Sequence, residues 1–420
     1  MASRTPSAPV SRSVSSGSLP TRSPTPLMER SPPEKEKEAA IREACEKEQV
    51  STLVDLATSN SGLISDSLRR TAWPLLLGCP KDDATPTQVP WKELPAHKDE
   101  HQVGLDVNRA FVYYPKHESD KQLDRRKQDL SHVILEVLRR HPALCYFQGY
   151  HDIVQVFLLV LGPHEAPAAV ARLSLLRIRD FMLSSIKPAI AQLQLLRPLL
   201  RAADPVLYRH LPKNQPSFAL AGTITMFAHV IQDYNDITRL FDFFLARHAV
   251  MPVYMFAAIV LSKREELLEI EQEDEDILFV TLGRIPQPFD VEFHIARTVE
   301  LYERLPPASL HSWEWWSISS ASVLKASATN LSMRQLSLQD GEELFAQQER
   351  HLQRQLALEK AGKQLRHFRI QLWYYRRYGA VGLAILVGAC AVWLGRNGGG
   401  ARYPMLHSFG GLLSRFLGGP

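Results

Sequence analysis

Cysteine is scarce in this chain: Cys45, Cys79, Cys145 and Cys390 are the only four in 420 residues. None forms a CxxC pair or a metal-ligand spacing, which excludes a disulfide scaffold and a cysteine-held metal. A reduced, cytosolic setting is expected for the main domain. Excess charge is lacking too. A net charge of +4, spread evenly along the chain, is too weak to specify nucleic acid. No Walker A, GxGxxG or HExxH motif is present, nor a catalytic Ser–His or Cys–His arrangement, so no independent metabolic activity is expected. No apolar stretch near the N-terminus resembles a signal peptide. No stretch of useful length alternates with period 2, so an all-α domain is expected.

Residues 1–33 are rich in Ser, Pro, Thr and Arg and nearly devoid of large apolar side chains, a composition that cannot offset ordering entropy. A charged, helix-prone stretch at 34–50 leads into the domain. Residues 65–78 read as a short helix ending at Pro74 and Gly78, with Trp73 as a core anchor and Arg69 one turn earlier on the same side. A polar loop at 81–101 precedes a helix with Val103, Val107 and Ala110 on one face. Asp106 and Arg109, three apart, sit on the adjoining face; alone they would be a surface ion pair of little worth.

The centre of the chain is residues 144–153. Upstream, Leu130, Val133, Ile134, Val137 and Leu138 mark one buried helix face, with Arg139 and Arg140 at its negative end and Pro142 as its stop. Downstream, 153–161 is apolar all round, as expected of a core helix. Gln148-Gly149 therefore sits on a short rigid connection, where Gly149 permits a backbone geometry that side chains resist. Helices are expected at 168–180 and 189–202. A buried helix is expected at 222–231, and the next is capped by Asp236 and buries Ile237, Leu240, Phe241, Phe244 and Leu245. Residues 251–261 form another apolar helix, the acidic run 263–276 reads as a solvated face, and helical signal continues to about 307. Trp313, Trp315 and Trp316 fall in a Ser-rich segment with no evident core around them, and 331–371 reads as a long exposed or coiled helix. Residues 379–395 carry no charge and are flanked by Arg376, Arg377 and Arg396, with Trp373, Tyr374 and Tyr375 as an aromatic belt. That pattern predicts a membrane anchor with its N-terminal side in the cytosol.

Taken in order, Leu68-Arg69 with Trp73, Val103-x-x-Asp106-x-x-Arg109, Tyr146-x-Gln148-Gly149 and Arg239-Leu240-Phe241-Asp242 resemble the signature motifs of TBC-domain GTPase-activating proteins for Rab GTPases. The resemblance spans roughly residues 53–307 and extends to the endoplasmic-reticulum-anchored branch of that family. It implies an all-α, multi-helix TBC domain at 38–307. Around it would lie a disordered tail at 1–37, a polar linker at 308–372, a transmembrane anchor at 373–396 and a short lumenal tail at 397–420.

The family's chemistry makes Arg109 an arginine finger and Gln148 a second finger that replaces the GTPase's own glutamine. Asp106 would hold Arg109, while Arg69, Trp73, Tyr146, Gly149 and Asp242 brace the site. No metal or cofactor of its own is implied, since the GTP and Mg²⁺ belong to the Rab. The implied partners are GTP-loaded Rabs, with those of ER-to-Golgi traffic first, and endoplasmic-reticulum membrane lipids. The implied place is a single-pass position in that membrane with a cytosolic domain. A catalytically weak Rab-binding scaffold on the same membrane is the alternative. Val103 stands for the family's usual isoleucine, Phe241 for tryptophan, Arg70 for glycine and Ala110 for threonine.

Overall fold

A computed structural model describes residues 31–79, 89–116, 118–326 and 334–397. Most of the expected N-terminal tail, part of the 81–101 loop and the segment after 397 lie outside them. Every regular element among the described residues is a helix, with no strand among them. The first seven helices are α1 Pro32–Glu46, α2 Val50–Thr58, α3 Asp66–Leu77, α4 Glu100–Asn108, α5 Asp120–Arg140, α6 Tyr150–Leu161 and α7 Ala166–Leu176. They are followed by α8 Lys187–Leu193, α9 Leu196–Ala203, α10 Pro205–His210, α11 Leu220–Ile224, α12 Tyr234–Ala246 and α13 Met251–Ser262. The last are α14 Arg264–Glu269, α15 Glu275–Gly283, α16 Val291–Arg304, α17 Trp313–Ser317 and α18 Leu338–Asn397.

Apolar pattern decides the layers. α5 buries the face Leu130, Val133, Ile134, Val137 and Leu138 and stops at His141, one residue before Pro142. α6 is buried nearly all round and packs against α3, α5 and α7, while α13 packs against α9, α11 and α16. α12, which lies on α2 and α3, joins these two halves.

The join is a buried polar cluster. Asp242 of α12, fully buried, accepts from Arg69 Nε (3.0 Å) and Nη2 (3.0 Å), from Trp73 Nε1 (2.8 Å) and from the Leu63 backbone (3.0 Å). Arg69 also donates to Asp66 at 2.8 Å. The Trp73 ring meets Phe157 of α6 and Phe241 of α12 at 5.4 and 5.9 Å. Gly62 is needed beside this cluster, because a Cβ there would meet Asp242 Oδ2 at 2.6 Å and its φ is +50°.

Several elements differ from expectation. α3 runs through Pro74 to Leu77 and ends on Gly78 in the left-handed conformation. The 189–202 helix is two pieces, α8 and α9. The 222–231 helix stops after Ile224: Phe227 N–H bonds Gly222 O (2.7 Å) and Met226 N–H bonds Thr223 O (3.2 Å), with Met226 at φ +49°. That is a Schellman ending with methionine where glycine is usual. The cap of α12 is Asp233, whose carboxylate accepts from Asn235 and Asp236 N–H, so the expected cap is three residues late. Lys263 is no solvated charge. It is buried and donates to the carbonyls of Thr281, Leu282 and Arg284 at the end of α15, and burial pulls its pKa down to about 8.

The chain after residue 307 packs back on the bundle. Buried Asp180 accepts from Val323 N–H (3.1 Å), Gln348 Nε2 (2.9 Å), Gln192 Nε2 (2.7 Å) and Ser322 Oγ. Phe345 and Leu352 of α18 are buried beside it. Trp313 and Trp316 stay exposed, while Lys325 Nζ lies 5.1 Å from the Trp315 ring.

The expected transmembrane anchor is overturned. Among the described residues no helix is long and apolar enough to cross a membrane. Residues 379–395 lie inside α18. Of the expected 373–396 span, Arg377 and Arg396 leave only residues 378–395 uncharged, about 27 Å at about 1.5 Å per residue against a hydrocarbon core of about 30 Å, and four of them are glycines. The single-pass endoplasmic-reticulum placement falls with it, because it depended on that span.

Removing one partner of a buried ion pair leaves a charge uncompensated. Asp242→Ala is therefore expected to destabilise the fold by about 3–5 kcal/mol. Glu300→Ala, which breaks the solvent-exposed pair with Arg297, should cost under about 1 kcal/mol. Denaturant unfolding of the two variants checks the contrast.

Candidate functional site

The polar residues singled out around Gln148 meet at one end of the bundle. Asp99 precedes α4 and Arg109 follows it, so the two ends of one nine-residue helix both face the turn that carries Gln148. Asp106, on the last turn of α4, is fully buried. Its carboxylate accepts from Arg109 Nη2, from Gln102 Nε2 (3.1 Å) and from the Tyr146 hydroxyl (2.8 Å). The Arg109 side chain is 58% exposed, although the carboxylate that tethers it is fully buried.

The turn itself is held from several sides. Tyr146 N–H donates to Asp99 Oδ2 (2.9 Å) and Cys145 N–H to Met182 O (2.8 Å). His97 Nε2 lies 3.0 Å from Leu144 O, while its Nδ1 accepts from Asp99 N–H at 3.2 Å. The Phe147 ring packs on Tyr150 (5.7 Å) and Phe181 (6.1 Å). Gly149 then starts α6 at φ +101°, and a Cβ there would meet Thr225 Cγ2 at 2.6 Å. Both requirements select glycine. They leave Gln148 exposed on a fixed backbone.

Behind Gln148 the polar chain continues. The Tyr146 oxygen lies 3.2 Å from His151 Nδ1, and His151 Nε2 lies 3.3 Å from Asp152 Oδ1. Asp152 Oδ2 accepts from His229 Nδ1 at 2.8 Å. Burial pushes the His151 pKa down, against the pull of Asp152 and Asp106. Burial, and then the Asp106 hydrogen bond, raise Tyr146 well above the ordinary phenol. The Asp152 contact raises His229.

Arg109, Gln148, Gly149, Asp152, Thr225 and His229 share the wall of one open groove of about 800 Å³, rimmed by Val112, Tyr113 and Ile186. The groove offers guanidinium, amide and imidazole donors together. Arg69, Trp73 and Asp242 are not part of it. They lie in the buried cluster of the core. Asp99, His151, Asp152, Gln155, Thr225 and His229 were not singled out from the sequence. His151 and Asp152 adjoin the Gln-Gly turn and could have been. Thr225 and His229 arrive from a distant segment and carry no local signal.

The His229–Asp152 pair has a defined pH dependence. The folded pKa of His229 lies above its ordinary value of about 6.5, so the pair's stabilisation is complete below that value. It is lost as pH rises through the folded pKa. His229 is largely exposed, so the effect is that of a screened pair, about 0.2–1 kcal/mol. His229→Gln should destabilise by that amount at pH 6 and by nothing near pH 9. Unfolding curves at the two pH values measure it.

Among the described residues no group of histidine, cysteine, aspartate and glutamate could hold a metal ion. Residues 66–268 match the Rab-GTPase-TBC domain. TBC1 domain family member 20 of Bos taurus is 37% identical over 281 residues, which is 66% of this chain and 69% of that protein. Its Homo sapiens counterpart is 36% identical over the same shares. GTPase-activating protein gyp10 of Schizosaccharomyces pombe is 33% identical over 265 residues, 62% of this chain and 70% of that protein. The motif that ties Tyr146 to Asp106 and Arg109, the all-helical fold and these matches together place the chain in the Rab-GTPase-TBC domain family.

Proposed function

We propose that this chain is a GTPase-activating protein for Rab GTPases in their GTP state, supplying Arg109 and Gln148 in trans. The carrying observation is that both side chains are exposed on one groove while Asp106, which holds Arg109, and Gly149, which sets the Gln148 turn, are buried. Phosphoryl transfer from GTP to water spreads negative charge over the transferred group and the leaving oxygen. A guanidinium tethered at one nitrogen still has several donors to aim at that charge, and its planar fork suits phosphate oxygens. An arginine supplied in trans is worth about 10³–10⁵ in rate, or roughly 4–7 kcal/mol of barrier.

Gln148 has both an acceptor and donors, as needed to orient the attacking water and touch a phosphate oxygen at once. A carboxylate there would repel the phosphate. A lysine could not accept from water. Nucleotide and Mg²⁺ come with the Rab and are substrate. The family resemblance makes the Rabs of ER-to-Golgi traffic the first panel to assay.

Arg109→Ala is expected to remove at least 10³-fold of the single-turnover hydrolysis rate in a protein that still folds, because Asp106 keeps Gln102 and Tyr146 as donors, and Arg109→Lys should fail as well. Gln148→Ala should lower the rate strongly while affinity for GTP-loaded Rab changes little, since one neutral amide adds little to a large interface. Near-wild-type hydrolysis by a folded Arg109→Ala protein would remove the arginine from the mechanism. Rab binding without acceleration by the wild-type chain would make it a scaffold.

A further inference from the structure

The segment after Arg109 leaves α4 through Ala110 and turns at Phe111, which is buried and adopts φ +63°, a left-handed conformation that a bulky side chain resists. Such a turn persists only where its surroundings hold it. The Phe111 N–H donates to Gln155 Oε1 at 2.8 Å. Gln155 is buried on α6, less than two turns beyond Gly149, on the helix whose first residue follows the Gln148 turn. A polar side chain within the apolar stretch 153–161 of that helix therefore reaches across to the backbone two residues past the arginine. Further along the same loop, the Tyr114 hydroxyl donates to Ala228 O at 3.3 Å, beside His229. At the start, Lys127 Nζ donates to Asn108 O at 2.7 Å.

Of these ties, only the one at Gln155 links the arginine's loop to the helix that presents Gln148. We propose that Gln155 is a positioning residue, fixing the backbone that carries Arg109 at a set distance from Gln148; this rests on both side chains acting on the GTPase as above. Asp106 holds the guanidinium end of Arg109, and Gln155 holds the backbone end. With both ends fixed, the finger meets the phosphate without first being ordered, and a displacement of about 1 Å is enough to cost on the order of 10²-fold in rate. Without the acceptor, the strained turn relaxes and the arginine's starting point moves.

The test uses the full chain and single-turnover hydrolysis on a responsive GTP-loaded Rab, with thermal unfolding to verify that each variant is folded. Gln155→Met keeps the volume and loses the acceptor. It should lower kcat about 10- to 100-fold with KM within about threefold. Gln155→Glu keeps an oxygen for the Phe111 N–H and should recover most of that loss. In the Arg109→Ala background, Gln155→Met should cost nothing further, because a positioning residue acts only through the group it positions. An active Gln155→Met with an inactive Arg109→Ala overturns the positioning role and leaves the finger standing. So does an equal, additive loss in both backgrounds. An active Arg109→Ala overturns the finger itself.

Discussion

Everything at the groove depends on one buried carboxylate. Asp106 has no solvent to stabilise its charge, and an ionised carboxylate taken out of water is tolerated only when donors surround it. Three do: Arg109, Gln102 and Tyr146. Gln102 and Arg109 come from α4 and its end, but Tyr146 comes from a turn forty residues later. The demand of one charge for partners thus welds the α4 segment to the Gln148 turn. Tyr146 can serve because its phenol is held protonated by burial and by that same bond.

The weld would mean little on a loose scaffold. Asp242 plays the corresponding part in the core, drawing Arg69 and Trp73 of α3 and the Leu63 backbone onto α12. Two ionic clusters, one under the groove and one between the halves of the bundle, therefore share a logic. In each, a buried aspartate is paired with an arginine and with the polar edge of an aromatic residue. They differ in what the arginine is free to do. Arg69 is buried with its donors committed to Asp242 and Asp66. Arg109 gives its carboxylate one nitrogen of the guanidinium, and its side chain stays 58% exposed.

How much of this was legible in the sequence follows from the range of each signal. The α5 face was legible because five apolar residues repeat at helical spacing, and the Gln-Gly turn because glycine after a helix stop has few other uses. Asp106 with Arg109 was ambiguous as a bare spacing, since an i, i+3 pair looks the same whether its carboxylate is exposed or buried. Only the order of the motifs lifted it. The break after Ile224 was not legible: Met226 takes the left-handed position usually marked by glycine, so an apolar run looked like one buried helix. His229 reaches the groove through that break. The 379–395 segment misled in the opposite sense, because its lack of charge suggested a span that its length and glycines do not support. Lys263 misled by its neighbours, which are acidic and solvated while its own ammonium is drawn inward to three carbonyls.

The position of Arg109 just past the end of α4 follows from what a finger must reconcile. Inside a helix, the side chain would be directed by the helix surface and its backbone locked to neighbouring turns. In a free loop, it would lose conformational entropy each time it engaged, at about 1–2 kcal/mol per ordered residue. At the C-cap the backbone still bonds to the helix, through Arg109 N–H to Asp106 O, while the chain beyond is free to turn away. The helix end is also electronegative, which favours a cation there before any partner arrives. The remaining weakness is the departing chain, and it departs through a left-handed phenylalanine that would relax if left alone. A buried amide on the facing helix closes that gap. Rigidity at this site is thus assembled from a buried carboxylate, a half-buried phenol and a buried amide, which leave the arginine side chain itself largely in solvent, where it has to reach the phosphate.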